Sequence, residues 1–141
     1  MSFIVRSVTG TIGKFNGGER DAFVGRGAEL RALAQQLDGG VRLLSVLGPG
    51  GTGKTRLARR YGRAWLGDWP GGVYFCDLSE ARSHDGILFA VAATLGVPLG
   101  AKEAVAQIGH AIAARGRCLL ILDNFEQIGR ASCRERVYSS V

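Results

Sequence analysis

The feature that most constrains this chain is the octapeptide GPGGTGKT at residues 48–55. It matches the pattern G-x-x-x-x-G-K-[ST] at every fixed position. An apolar run, VRLLSVL at residues 41–47, precedes it, and a stretch of helical spacing follows from about residue 54 to 65. A strand, a glycine-rich turn and a helix in that order are the context the pattern requires. The chemistry accounts for each position. Gly48, Pro49, Gly50, Gly51, Thr52 and Gly53 form a loop whose glycines let the backbone close around an anion and turn its N–H groups inward. The helix that follows presents its N-terminal N–H groups and the positive end of its dipole. Lys54 is expected to reach the β- and γ-phosphates as a point charge, and the Thr55 hydroxyl to ligate Mg²⁺.

Such a site needs a carboxylate on a neighbouring strand. Residues 118–122 (CLLIL) form an apolar run closed by Asp123, the second candidate Mg²⁺ group. Glu126, three residues on, is either a carboxylate that polarises an attacking water or an ordinary acid near a turn. Between these motifs the elements alternate. Leu30, Leu33, Ala34 and Leu37 recur at helical spacing, and Gly39-Gly40 end that helix. Residues 73–76 (VYFC) read as a strand, and residues 84–95 and 102–114 as helices closed by Gly96 and Gly116. Strands alternating with helices imply an α/β fold of P-loop NTPase type, a parallel sheet flanked by helices.

Composition excludes other classes. The chain has 141 residues, enough for one domain, and 46% are hydrophobic, enough for a core. Glycine is in excess, 22 residues, but without a Gly-X-Y period. Cys76, Cys118 and Cys133 are far apart and odd in number, which argues against a disulfide framework or structural zinc and fits a reduced cytoplasm. No apolar run approaches the ~20 residues of a membrane helix. The net charge of +6 comes from 15 Arg and 3 Lys against 12 acids. Arg56, Arg59, Arg60 and Arg63 read as a solvated helix face rather than a nucleic-acid patch, with Arg56 near nucleotide. His84 and His110 lack partners at metal-ligand spacing, and Trp65, Trp69, Tyr74 and Phe75 read as core or rim aromatics.

Four segments together carry a family resemblance: FVGR at 23–26, GPGGTGKTRLA at 48–58, VYFCDLS at 73–79 and LLILDNFEQ at 119–127. The combination resembles the STAND signal-transduction ATPases, in particular the NB-ARC-like modules of bacterial LuxR-type and antibiotic-regulatory transcription factors. The resemblance covers about residues 21–127. It implies ATP or ADP with Mg²⁺ as cofactors and a switch in which ADP holds a closed monomer and ATP with an inducer favours assembly. It also implies that Val24, Gly25 and Arg26 help hold the adenosine end. In AAA+ motors the residue after the strand-terminal Asp is usually Glu, whereas here it is Asn124. That favours a slow regulatory switch over a motor ATPase or a small-molecule kinase. The partners so implied are nucleotide, other domains of a longer chain and a second copy, with no direct nucleic-acid or membrane contact.

The two ends stand apart. Residues 1–20 lack periodicity and read as a linker or incomplete upstream element. Residues 128–137 (IGRASCRERV) match the translation of a short-read sequencing adapter, so the native frame is expected to end near Glu126 or Gln127. On that reading residues 21–127 are the N-terminal part of the domain and 128–141 are non-native. Without those last residues, which hold three Arg and one Glu, the charge falls from +6 to +4. A sheet of three strands with open edges is expected to be marginal alone, or to have no activity of its own.

Overall fold

The computed structural model describes residues 25–47, 51–100 and 103–125, together with the backbone of residues 2–6. Four strands and four α-helices run along them, alternating except that α3 and α4 follow one another. The order is β1 (Ser2–Arg6), α1 (Gly27–Asp38), β2 (Leu43–Ser45), α2 (Lys54–Ala64), β3 (Val73–Asp77), α3 (His84–Leu95), α4 (Ala104–Ala114) and β4 (Cys118–Asp123). A single 3₁₀ turn, Leu66–Asp68, follows α2. The strands form one sheet in the order β2-β1-β4-β3, and every pairing is parallel. This is the α/β arrangement the alternation implies.

Strand β4 is buried along its whole length. Successive side chains of a strand point to opposite faces, and here the two faces meet two separate cores. Leu119 and Ile121 join Leu30, Ala34, Leu37, Leu57, Ala58 and Tyr61 of α1 and α2. Leu120 and Leu122 join Val91, Ala92, Leu95 and Ile108 of α3 and α4. A strand covered on both faces reads as an unbroken apolar run, which is why CLLIL is legible in the sequence. Strand β3 obeys the same alternation: Phe75 lies in the first core and Cys76 in the second.

The helices end where their local chemistry says they should. The Ser83 hydroxyl caps α3 by accepting the Gly86 N–H at 3.2 Å, and Gly96 closes it in the left-handed region at φ 67°. Arg115 then ties the second layer together. Its guanidinium donates to the carbonyls of Ala111 and Leu95 at 2.6 Å each, and to the Tyr74 hydroxyl at 3.1 Å. Helix α2 lies close against the sheet because Gly62 faces it. A Cβ there would stand 2.9 Å from Val73 Cγ1 and 3.4 Å from Ile121 Cδ1.

Two elements differ from the sequence expectation. Of the apolar run 41–47, only Leu43–Ser45 form a strand. Among the described residues β2 is an edge strand paired on one side, and Leu43 and Leu47 stay exposed at 56% and 86%. Strand β1 arises inside residues 1–20, the stretch expected to be a linker or incomplete upstream element. Its five residues pair with β2 on one side and β4 on the other, so its hydrogen bonds are entirely tertiary. The expected boundary near residue 20 and the expected tail from 128 onward fall outside the described residues.

Gly71 has no space for a side chain, because a Cβ would stand 2.2 Å from the Arg115 carbonyl oxygen and 2.9 Å from that of Arg117. Gly71→Ala is expected to destabilise the fold by about 1–3 kcal/mol through forced backbone shifts. Gly67→Ala, at a position open to solvent space, is the control and is expected to change stability little. Urea midpoints of the two variants check this.

Candidate phosphate and metal site

The site lies where the N-terminus of α2 meets the C-terminal end of β4. Gly51 and Gly53 both take positive φ, 77° and 76°, a region in which L side chains are strained. Gly53 is the N-cap of α2, so the left-handed turn delivers the chain directly into the helix. Lys54, the first helical residue, is 95% buried, and its ammonium lies 3.4 Å from the Thr52 hydroxyl. The apolar face of α2 fixes this orientation. Leu57, Ala58 and Tyr61 are buried on the same side as Lys54, each large one worth about 1.5–3 kcal/mol on burial. Gly48, Pro49 and Gly50, the first half of the expected loop, lie outside the described residues, as do Val24 and Glu126.

Thr55 and Asp123 are brought together from 68 residues apart. The Thr55 hydroxyl donates toward both carboxylate oxygens of Asp123, at 3.1 Å each. Asp123 is fully buried. A hydroxyl and a carboxylate are the hard oxygen donors that suit Mg²⁺, which keeps several waters and takes few protein ligands. The residues present therefore fit the ion. No cluster of three or more His, Cys, Asp or Glu side chains forms a metal cage among the described residues.

A second pair stands beside this one, and the sequence reading did not single it out. Asp77 and Asp123 are register partners at the ends of β3 and β4. Asp77 Oδ1 accepts the Asn124 amide at 2.7 Å and the Ser79 backbone N–H at 2.9 Å. Asn124 is buried and adopts φ 61°, a conformation Asn tolerates better than most residues. Its Nδ2 is engaged by Asp77, while its buried Oδ1 has no hydrogen-bond partner among the described residues. The signal was available: VYFC ends in Asp77 as CLLIL ends in Asp123.

The remaining candidates are placed as follows. Gly25 is exposed at φ 103°. The Arg26 guanidinium donates to the Thr52 carbonyl of the phosphate loop and pairs with Glu29 at 3.4 Å. Arg56 is exposed on the first turn of α2. Arg59 lies with its guanidinium carbon 4.5 Å from the Phe75 ring centroid, a core-edge contact. His84 and His110 are exposed, and Trp69 and Phe75 are core residues. Cys76 and Cys118 are buried and form no disulfide among the described residues. Burial pushes the Cys76 thiol above its ordinary range, so it stays protonated and unreactive at neutral pH.

Residues 37–139 match the AAA domain family. The chain belongs to the AAA domain family. Uncharacterized proteins of Mycobacterium bovis and of Mycobacterium tuberculosis are each 31% identical to it over 107 residues, covering 76% of this chain. The chain spans 27% of the length of these relatives. No solved structure matches it. The AAA domain assignment supports an ATPase-like P-loop domain that takes nucleotide, usually with Mg²⁺. No helix among the described residues is long and apolar enough to cross a membrane.

The Thr55–Asp123 contact generates a direct test. Thr55→Val removes the hydroxyl and keeps the shape. In the full-length gene product it is expected to weaken Mg²⁺-dependent ATP binding about tenfold, the loss of one charge-assisted contact. Binding in EDTA is expected to change little. Titration of a fluorescent ATP analogue with and without Mg²⁺ measures both.

Proposed function

We propose that this AAA domain is the nucleotide-binding part of a regulatory switch of STAND type in a bacterial signalling or transcriptional regulator. In this reading it binds ATP and ADP with Mg²⁺, and the intact protein hydrolyses ATP slowly. The observation that carries the nucleotide reading is the meeting of Thr55 with the buried carboxylate of Asp123 beside buried Lys54. Lys54 would steady the phosphates, and Thr55 and Asp123 would hold the ion. Bound Mg²⁺ would supply charge neutralisation on the phosphate oxygens.

Slow turnover is supported by Asn124. An amide cannot take a proton from water at neutral pH, so the residue next to Asp123 supplies no general base. Glu126 is the other candidate for orienting the water. The alternative, an active AAA+-type ATPase, is equally compatible with the family match, which does not distinguish motors from switches. A small-molecule kinase would need an acceptor pocket and lid, and the sequence shows no Arg-rich lid segment. Self-association, contacts with further domains and cytoplasmic residence belong to the same proposal. The contacts with further domains are supported by the chain's span of 27% of the relatives' length.

The test uses the full-length gene product. Mg²⁺-dependent binding of ATP and ADP is expected, with a large loss in Lys54→Ala. Turnover is expected well below the ~10 s⁻¹ typical of enzymes. Absence of nucleotide binding in the intact protein would overturn the reading. Fast turnover without any inducer would replace the switch by the active ATPase.

A further inference from the structure

We propose that Arg26 is a positioning residue that sets the conformation of the phosphate loop, rather than a contact for the adenosine end. The proposal deepens the nucleotide reading and rests on it. Arg26 is the N-cap residue of α1, and its carbonyl accepts the Leu30 N–H at 3.1 Å. Its backbone is thus fixed by a helix whose Leu30, Ala34 and Leu37 share a core with Leu57, Ala58 and Tyr61 of α2. From this anchored start the side chain reaches 26 residues along the chain to the Thr52 carbonyl.

The consequence follows from peptide geometry. In a trans peptide the C=O and the N–H point in opposite directions. A guanidinium that holds the Thr52 carbonyl on its own side turns the Gly53 N–H to the other side. No cis peptide occurs among the described residues. Gly53 sits at φ 76°, and an added Cβ there would stand 3.9 Å from Arg26 Nη1, so the guanidinium lies along this very peptide. A loop that binds anions does so with N–H groups turned to a common side. Arg26 fixes one of those peptides before any ligand arrives, which lowers the ordering cost of binding. Glu29, 3.4 Å from Arg26 Nε, holds the other end of the guanidinium. Two of its three nitrogens are therefore engaged by protein groups, Nη2 by the loop and Nε by Glu29 of α1.

Arg26→Ala and Lys54→Ala in the full-length gene product test this. The probes are ATP, inorganic tripolyphosphate and adenosine, each competing with a fluorescent ATP analogue, and hydrogen exchange of the peptide spanning residues 48–56 without ligand. Arg26→Ala is expected to weaken ATP and tripolyphosphate by the same factor, about tenfold, and to leave adenosine unchanged. Exchange of the loop amides in the ligand-free protein is expected to rise. Arg26→Lys, which keeps a donor on a slightly shorter stem, is expected to recover part of both effects. A loss for ATP and adenosine with tripolyphosphate unchanged would overturn the proposal in favour of an adenosine contact. Weakened phosphate binding with unchanged loop exchange would overturn it in favour of a direct contact with phosphate. No change in any readout would also overturn it. Lys54→Ala separates the two levels: if it too leaves ATP binding intact, the phosphate-loop reading itself fails, and this proposal with it.

Discussion

The close approach of α2 to the sheet is the constraint on which the rest of the molecule depends. Gly62 permits it, since any side chain there would press on Val73 and Ile121. With the helix drawn in, Leu57, Ala58 and Tyr61 close the first core against Leu119 and Ile121. The same placement carries the N-terminus of α2 to the end of β4, where Thr55 meets Asp123. Packing and site geometry thus have one cause. A helix displaced outward would lose apolar burial and the contact between hydroxyl and carboxylate together.

The carboxyl ends of β3 and β4 divide their work between two neighbouring aspartates. Asp123 faces the phosphate loop through Thr55, while Asp77 engages the Asn124 amide and the Ser79 N–H. Hydrogen bonds to an ionised carboxylate are among the stronger ones in proteins. Asp77 therefore holds the turn after β4 in a defined shape, including the left-handed backbone at Asn124. The buried Asn124 amide oxygen, which has no partner among the described residues, lies next to the Thr55–Asp123 contact, a polar group that burial alone would disfavour. The strand ends form one polar edge above two apolar cores.

Much of this architecture is legible along the chain. Helices α1 and α3 lie where apolar spacing and glycine stops place them, because a helix is decided by neighbours three and four residues apart. Strand β4 is legible because burial on both faces leaves an unbroken apolar run. The phosphate loop is legible because its glycines, lysine and threonine are adjacent in sequence. Strand β1 is not, since a five-residue strand gains its hydrogen bonds only from partners over thirty residues and over one hundred residues away. The shortening of the 41–47 run to three residues has the same origin, because an edge position satisfies one side of the ladder only.

By itself the sequence determined the order of elements from α1 onward, the α/β class, and the adjacency of Lys54 and Thr55 at the start of α2. Those follow from local periodicity and from a contiguous motif. Only the tertiary structure decided that Ser2–Arg6 runs through the middle of the sheet, that Asp77 holds Asn124, and that Arg26 turns onto the loop at Thr52. Each of these joins residues far apart in the chain. Their pairing is set by where helices and strands come to rest, which no spacing along the sequence records.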